Sequence, residues 1–120
     1  MRALASELLK RLPGKATEKW PSGTRFVVAF SHGSMTVELY APLGHDPQTP
    51  HVRDELYFIH AGVGEFVMEG ERHNFCPGSA FFVPAGVAHR FENFTADFSR
   101  SKSTRLNSSH LRLSRMPSSA

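Results

Sequence analysis

From residue 25 onward, short β-prone stretches alternate with turns bearing glycine or proline, and this rhythm constrains the fold more than any other feature of the chain. Residues 25–30 are apolar and β-prone, and Ser31-His32-Gly33-Ser34 reads as a turn. Residues 35–40 alternate with period two, so that Met35, Val37 and Leu39 lie opposite Thr36, Glu38 and Tyr40. Beyond a Pro/Gly-rich loop over 41–50, further strands are expected at 55–59, 65–68, 80–83 and 89–91. Gly62-Val63-Gly64, Glu69-Gly70-Glu71, Pro77-Gly78 and Pro84-Ala85-Gly86 separate them. Short strands spaced in this way predict an all-β sandwich or barrel. Ahead of them, Leu4, Leu8, Leu9 and Leu12 recur at helical spacing and Pro13-Gly14 stops the pattern, which predicts one short amphipathic helix over 2–12.

The 120 residues, 40% of them hydrophobic, suit one domain with a core. No apolar run approaches the ~20 residues of a membrane span, and Glu7 and Lys10 interrupt any signal-peptide core. The single cysteine, Cys76, has no internal partner, which fits a reducing, cytoplasmic compartment. The net charge of +3 belongs to the C-terminal end. Five of the fourteen Lys and Arg residues lie at or beyond Arg100, whereas all eleven acids lie at or before Asp97, so residues 1–99 carry 9 − 11 = −2. A mildly acidic body argues against a nucleic-acid partner.

Residues 100–120 hold seven serines, no acid and no aromatic. The stretches K-S-T-R-L-N-S-S-H (102–110) and S-R-M-P-S-S-A (114–120) resemble a sequencing adapter translated in frame. The expected organisation is a β domain over 1–99, lacking its final strand, and a disordered non-native tail over 100–120.

His51 and His89 each sit beside a turn, and Glu55 follows His51 by four residues. Imidazole nitrogen and carboxylate oxygen together suit Fe, Mn, Zn or Ni. On one straight strand His51 and Glu55 would lie ~13 Å apart at ~3.3 Å per residue, whereas ligands of one ion lie within ~4 Å of each other. They meet only if Val52-Arg53-Asp54 turns or bulges, which Pro50 makes feasible.

The stretch G-S-A-F-F-V-P-A-G-V-A-H-R-F-E-N (78–93) resembles the second cupin motif, G-x5-P-x-G-x2-H-x3-N, at every fixed position: Gly78, Pro84, Gly86, His89 and Asn93. The first motif, G-x5-H-x-H-x(3,4)-E-x6-G, is matched in part. His51, Glu55 and Gly62 stand at its second His, its Glu and its final Gly, while Thr49 replaces its first His and Gly44 is one residue too close. The run D-P-Q-T-P-H-V-R-D-E-L-Y (46–57) is similar to a subgroup of small bacterial single-domain cupins. The resemblance spans roughly residues 20–98. It implies an antiparallel jelly-roll β-barrel with a divalent transition metal held by His51, Glu55 and His89. Gln48 or Thr49 would add a weak fourth contact, directly or through water. Two histidines and a carboxylate are the ligand set of mononuclear non-haem iron sites with open positions. A homodimer is expected by analogy with the family.

Strand parity turns His60 away from Glu55, and His32, His45 and His73 fall in turns or loop edges, so none is expected as a ligand. Tyr57 shares the face of Glu55; it and Phe91 are pocket candidates, although an aromatic in a small barrel is core before it is substrate wall. Phe66 and Phe82 are read as core for the same reason, and Cys76 as a buried turn residue. The resulting expectation is a metal-binding cupin enzyme acting on a small polar molecule, of dioxygenase, isomerase or decarboxylase type. The alternative is a non-enzymatic barrel that binds or senses a small ligand.

Overall fold

In a computed structural model that describes residues 1–46 and 52–106, eight antiparallel strands follow one short helix. The helix α1 covers Ala5–Leu9 only, shorter than the expected 2–12. Leu4 occupies its N-cap position and offers no side-chain bond to the free N–H groups, so the first turn has no support of its own. The helix packs on β1 (Phe26–His32) and β2 (Met35–Tyr40) and buries Leu8. The remaining strands are β3 (Arg53–Ala61), β4 (Gly64–Met68), β5 (Glu71–Phe75), β6 (Ala80–Val83), β7 (His89–Glu92) and β8 (Ser99–Leu106).

Two sheets result, one of five strands in the order β1-β2-β8-β3-β6 and one of three in the order β5-β4-β7. Between them lies an aromatic core of Tyr57, Ile59, Phe66, Phe75, Val83, Phe91 and Phe98. Ring pairs such as Phe66–Phe81, 4.3 Å apart and stacked, and Tyr57–Phe91, 5.2 Å apart and edge-on, fill it. Phe66 and Phe91 are core, as expected. At Gly62, φ is +89° and a Cβ would come within 2.6 Å of the Phe98 Cα, so the chain leaving β3 passes Phe98 at a distance only glycine allows.

Three sequence readings are corrected. Residues 100–106 were expected in a disordered tail and the last strand was expected to be missing. Instead β8 inserts between β2 and β3, pairing Leu39 with Ser101 on one side and Tyr57 with Lys102 on the other. Its basic residues mimic a solvated tail in composition, but Arg100 and Lys102 point inward to acidic partners. Residues 107–120, the rest of that expected tail, lie outside the described residues. Phe82 is 56% exposed rather than core, because Val83 pairs with Glu55 and takes the inward position, which turns Phe82 out. Cys76 is exposed rather than buried, at the turn where its N–H donates to Ser79 Oγ (3.1 Å). A strand the sequence did not suggest, β5, reads E-R-H-N-F; only its last residue is buried, so it carries little hydrophobic signal.

Candidate functional site

Period-two alternation sets the inner face of the larger sheet. Glu55, Tyr57 and Ile59 of β3 point inward, and the register places Thr104, Lys102 and Arg100 of β8 beside them. Thr36, Glu38 and Tyr40 of β2 flank β8 on its other side. The interior therefore carries a graded set of polar levels, with threonines at one end and Tyr40 and Arg100 at the other.

His89 reaches this face from β7, on the opposite sheet. The turn before it is built by Pro84 and Gly86, the latter at φ +82°, which a side chain would strain. The His89 ring is held at both nitrogens. Nδ1 donates to the Val87 carbonyl (2.8 Å), which leaves the Nε2 lone pair facing the interior in the neutral ring. There the Tyr57 hydroxyl donates to Nε2 at 2.7 Å, and Glu55 Oε1 lies 3.1 Å from the same atom. The side chains of His89 and Glu55 are 0% and 1% exposed. Burial pushes the Tyr57 hydroxyl well above the usual phenol range, so it keeps its proton.

Glu55 also meets Lys102, whose Nζ is 3.4 Å from Oε2 and 3.9 Å from Glu38 Oε1. Burial lowers the Lys102 ammonium below its ordinary range, with Glu55 pulling the other way. Deeper in, Arg100 Nη2 donates to Asp46 Oδ2 at 2.7 Å, both side chains being fully buried. The guanidinium carbon stands 4.2 Å from the Tyr40 ring centre, 4.6 Å from Phe91 and 4.9 Å from Tyr57. Arg100 Nε and Nη1 have no hydrogen-bond partner among the described residues and face this aromatic cage instead.

Of the residues picked out from sequence, Glu55, His89, Tyr57 and Phe91 thus converge inside the barrel. His51, Gln48 and Thr49 lie outside the described residues. His60 faces outward, and His32, His45 and His73 are exposed. Among the described residues no group of three His, Cys, Asp or Glu side chains is disposed to hold an ion. The pair that is present has the right chemistry. Two ligands each ~2 Å from one ion sit about 3 Å apart, which is the Glu55–His89 separation, and a backbone carbonyl on Nδ1 fixes the tautomer that frees Nε2. The sequence reading missed Glu38, Asp46, Arg100 and Lys102. In R-S-K-S-T-R, Arg100, Lys102 and Thr104 fall at period two, but their types signal solvent and so conceal an inward row.

Comparison with known proteins places this arrangement in a family. An uncharacterized protein of Streptomyces coelicolor, SCO3923, is 41% identical over 66 residues. The match covers 53% of this chain and 63% of that protein, so the chain spans less than two thirds of this relative's length. The crystal structure of TT1209 from Thermus thermophilus superposes with a TM-score of 0.62 at 28% identity, covering 82% of this chain and 93% of that one. The DMSP lyase DddQ from Ruegeria pomeroyi superposes with a TM-score of 0.58, also at 28% identity, over 70% of this chain and 48% of that enzyme. The family model for the cupin domain matches residues 36–97, more than half of the 120 residues. The chain belongs to the cupin superfamily.

Proposed function

We propose that the protein is a metal-dependent cupin enzyme that acts on a small polar molecule. The metal would be a divalent transition ion, Fe, Mn, Ni or Zn, held by His51, Glu55 and His89, with Gln48 or Thr49 near the same centre. The observation that carries this reading is the buried His89 Nε2–Glu55 Oε1 pair, 3.1 Å apart, with Nδ1 committed to the Val87 carbonyl. Two electron-rich atoms at that distance repel unless a proton or a cation lies between them. When bound, the ion supplies a Lewis-acid or redox centre with positions open to substrate oxygens. The residues of the chain do the rest. Val87 orients the imidazole through Nδ1, and the Tyr57 hydroxyl, which sits 2.7 Å from Nε2 and would yield that lone pair to a bound ion, is a proton donor inside the barrel. Phe66 and Phe91 exclude water from that end. DddQ, named as a lyase, supports an enzymatic reading over a purely structural one. A cytoplasmic location and a homodimer complete the proposal.

One observation favours a second reading, a metal-free barrel that binds or senses a small ligand. Lys102 already gives Glu55 a counter-charge at 3.4 Å. Elemental analysis after anaerobic reconstitution with Fe(II), Mn(II), Ni(II) or Zn(II) separates the two. One ion per chain, lost in His89→Ala, supports the enzyme. A folded protein that takes up none of these ions, or a His89→Ala variant with unchanged content, overturns it and leaves the metal-free barrel.

A further inference from the structure

Next to the His89–Glu55 pair lies a cavity of about 540 Å³, in the size range of small-molecule sites. Its floor is Lys102, the residue in contact with Glu55, and Glu38 stands beside it. One wall is aromatic. Phe26 and Tyr40 are stacked with centres 5.1 Å apart, and Trp20 joins Phe26 at 6.2 Å. Trp20 arrives from the segment between α1 and β1, where a tight turn holds it. The Thr17 side chain accepts from the Trp20 N–H, and the Trp20 carbonyl accepts from the Thr17 and Gly23 N–H groups, all at 3.0 Å. The backbone at Trp20 is therefore fixed before any ligand arrives, and Phe26 is the ring against which the indole lies.

Charge at this cavity is unbalanced. Lys102 is shared by two carboxylates, Glu38 and Glu55. Lys19 and Arg53 also line the space, and neither forms an ion pair among the described residues. Arg53 Nη1 donates to the Ser34 carbonyl at 2.9 Å, which anchors the guanidinium across the rim while leaving its charge uncompensated. Two such cations beside a flat aromatic wall recognise an anionic head on a planar or unsaturated body.

We propose that this cavity binds a small organic carboxylate with a flat apolar portion, its carboxylate on Lys19 and Arg53 and its body against Trp20 and Phe26. The proposal deepens the enzymatic reading by naming the substrate class, and it rests on that reading only in calling the anion a substrate. Binding itself requires no metal.

Trp20 is the only tryptophan in the chain and reports on the cavity directly. Benzoate and its neutral isostere benzamide would be titrated into chelator-treated and metal-reconstituted protein, following Trp20 emission and heat of binding. Benzoate is expected to saturate the signal and to bind at least about ten-fold more tightly than benzamide. The Lys19→Gln/Arg53→Gln double variant, at two exposed positions whose circular dichroism confirms folding, is expected to lose that preference. Equal binding of the two probes, no saturable change with benzoate, or a double variant that keeps the preference would overturn the inference. Charge-selective binding in protein that takes up no metal upholds the site and defeats only the metal reading. One metal per chain without benzoate binding does the reverse.

Discussion

Replacing Asp46 by alanine strips the buried Arg100 guanidinium of its 2.7 Å carboxylate partner. Both side chains are fully buried, so water cannot take the carboxylate's place, and the three surrounding rings compensate the charge only partly. Removing one member of a buried ion pair costs about 3–5 kcal/mol. That is a large share of the roughly 5–15 kcal/mol by which a domain of this size is stable. Arg100→Met should also destabilise, since it removes the guanidinium from the Asp46 carboxylate and from the three rings around it. The Asp46→Ala/Arg100→Met double variant removes both charges and keeps an apolar stem among Tyr40, Tyr57 and Phe91, so it should be more stable than either single variant. Urea denaturation followed by circular dichroism measures all four corners of the cycle. With a slope near 1–3 kcal/mol/M, each single variant should lose about 2 M in midpoint. Additive single effects, or a midpoint unchanged by Asp46→Ala, would refute the view that the two charges hold each other in the core.

Other outcomes follow from the same geometry. Tyr57→Phe removes the 2.7 Å bond to His89 Nε2 and should lower stability by about 1 kcal/mol in the same urea assay. Gly62→Ala places a Cβ against the Phe98 backbone at positive φ and should destabilise by about 2 kcal/mol or more, read as a lower melting temperature. Burial holds His60 below its ordinary 6.5, so the unfolded chain binds its proton at higher pH than the folded one does. Stability should therefore rise with pH from the folded-state pKa up to about 6.5 and add nothing further above it. Comparing His60→Gln with the parent across that window checks the sign: the substitution should flatten the slope.

The sequence makes some of this legible and hides the rest for physical reasons. Gly/Pro turns and short β-prone stretches expose β1, β2, β3, β4, β6 and β7, each of which carries apolar residues on at least one face. The second cupin motif points to His89, and parity alone separates Glu55 and Tyr57 from the outward His60. In β6 the apolar run A-F-F-V has no alternation to set its phase, which is why Phe82 reads as core although Val83 holds the inward position. The central strand β8 is hidden because its inward row is Arg100, Lys102 and Thr104, residues whose types signal solvent. Only tertiary partners from β2, β3 and the loop at Asp46 make that row suited to an interior, and no window along the sequence contains them.

The position of β8 also fixes an order of assembly. The hairpin of β1 and β2 joins β3 and β6 only through this strand, which follows all the other described strands in the chain. Until residues 99–106 are in place, the larger sheet exists as two halves with two open edges facing each other. A ribosome-bound chain lacking this segment can form the hairpins β1–β2 and β4–β5, whose strands are close in sequence, but it cannot close the sheet. The larger sheet is therefore completed only once β8 is made, and until then the chain carries unpaired strand edges.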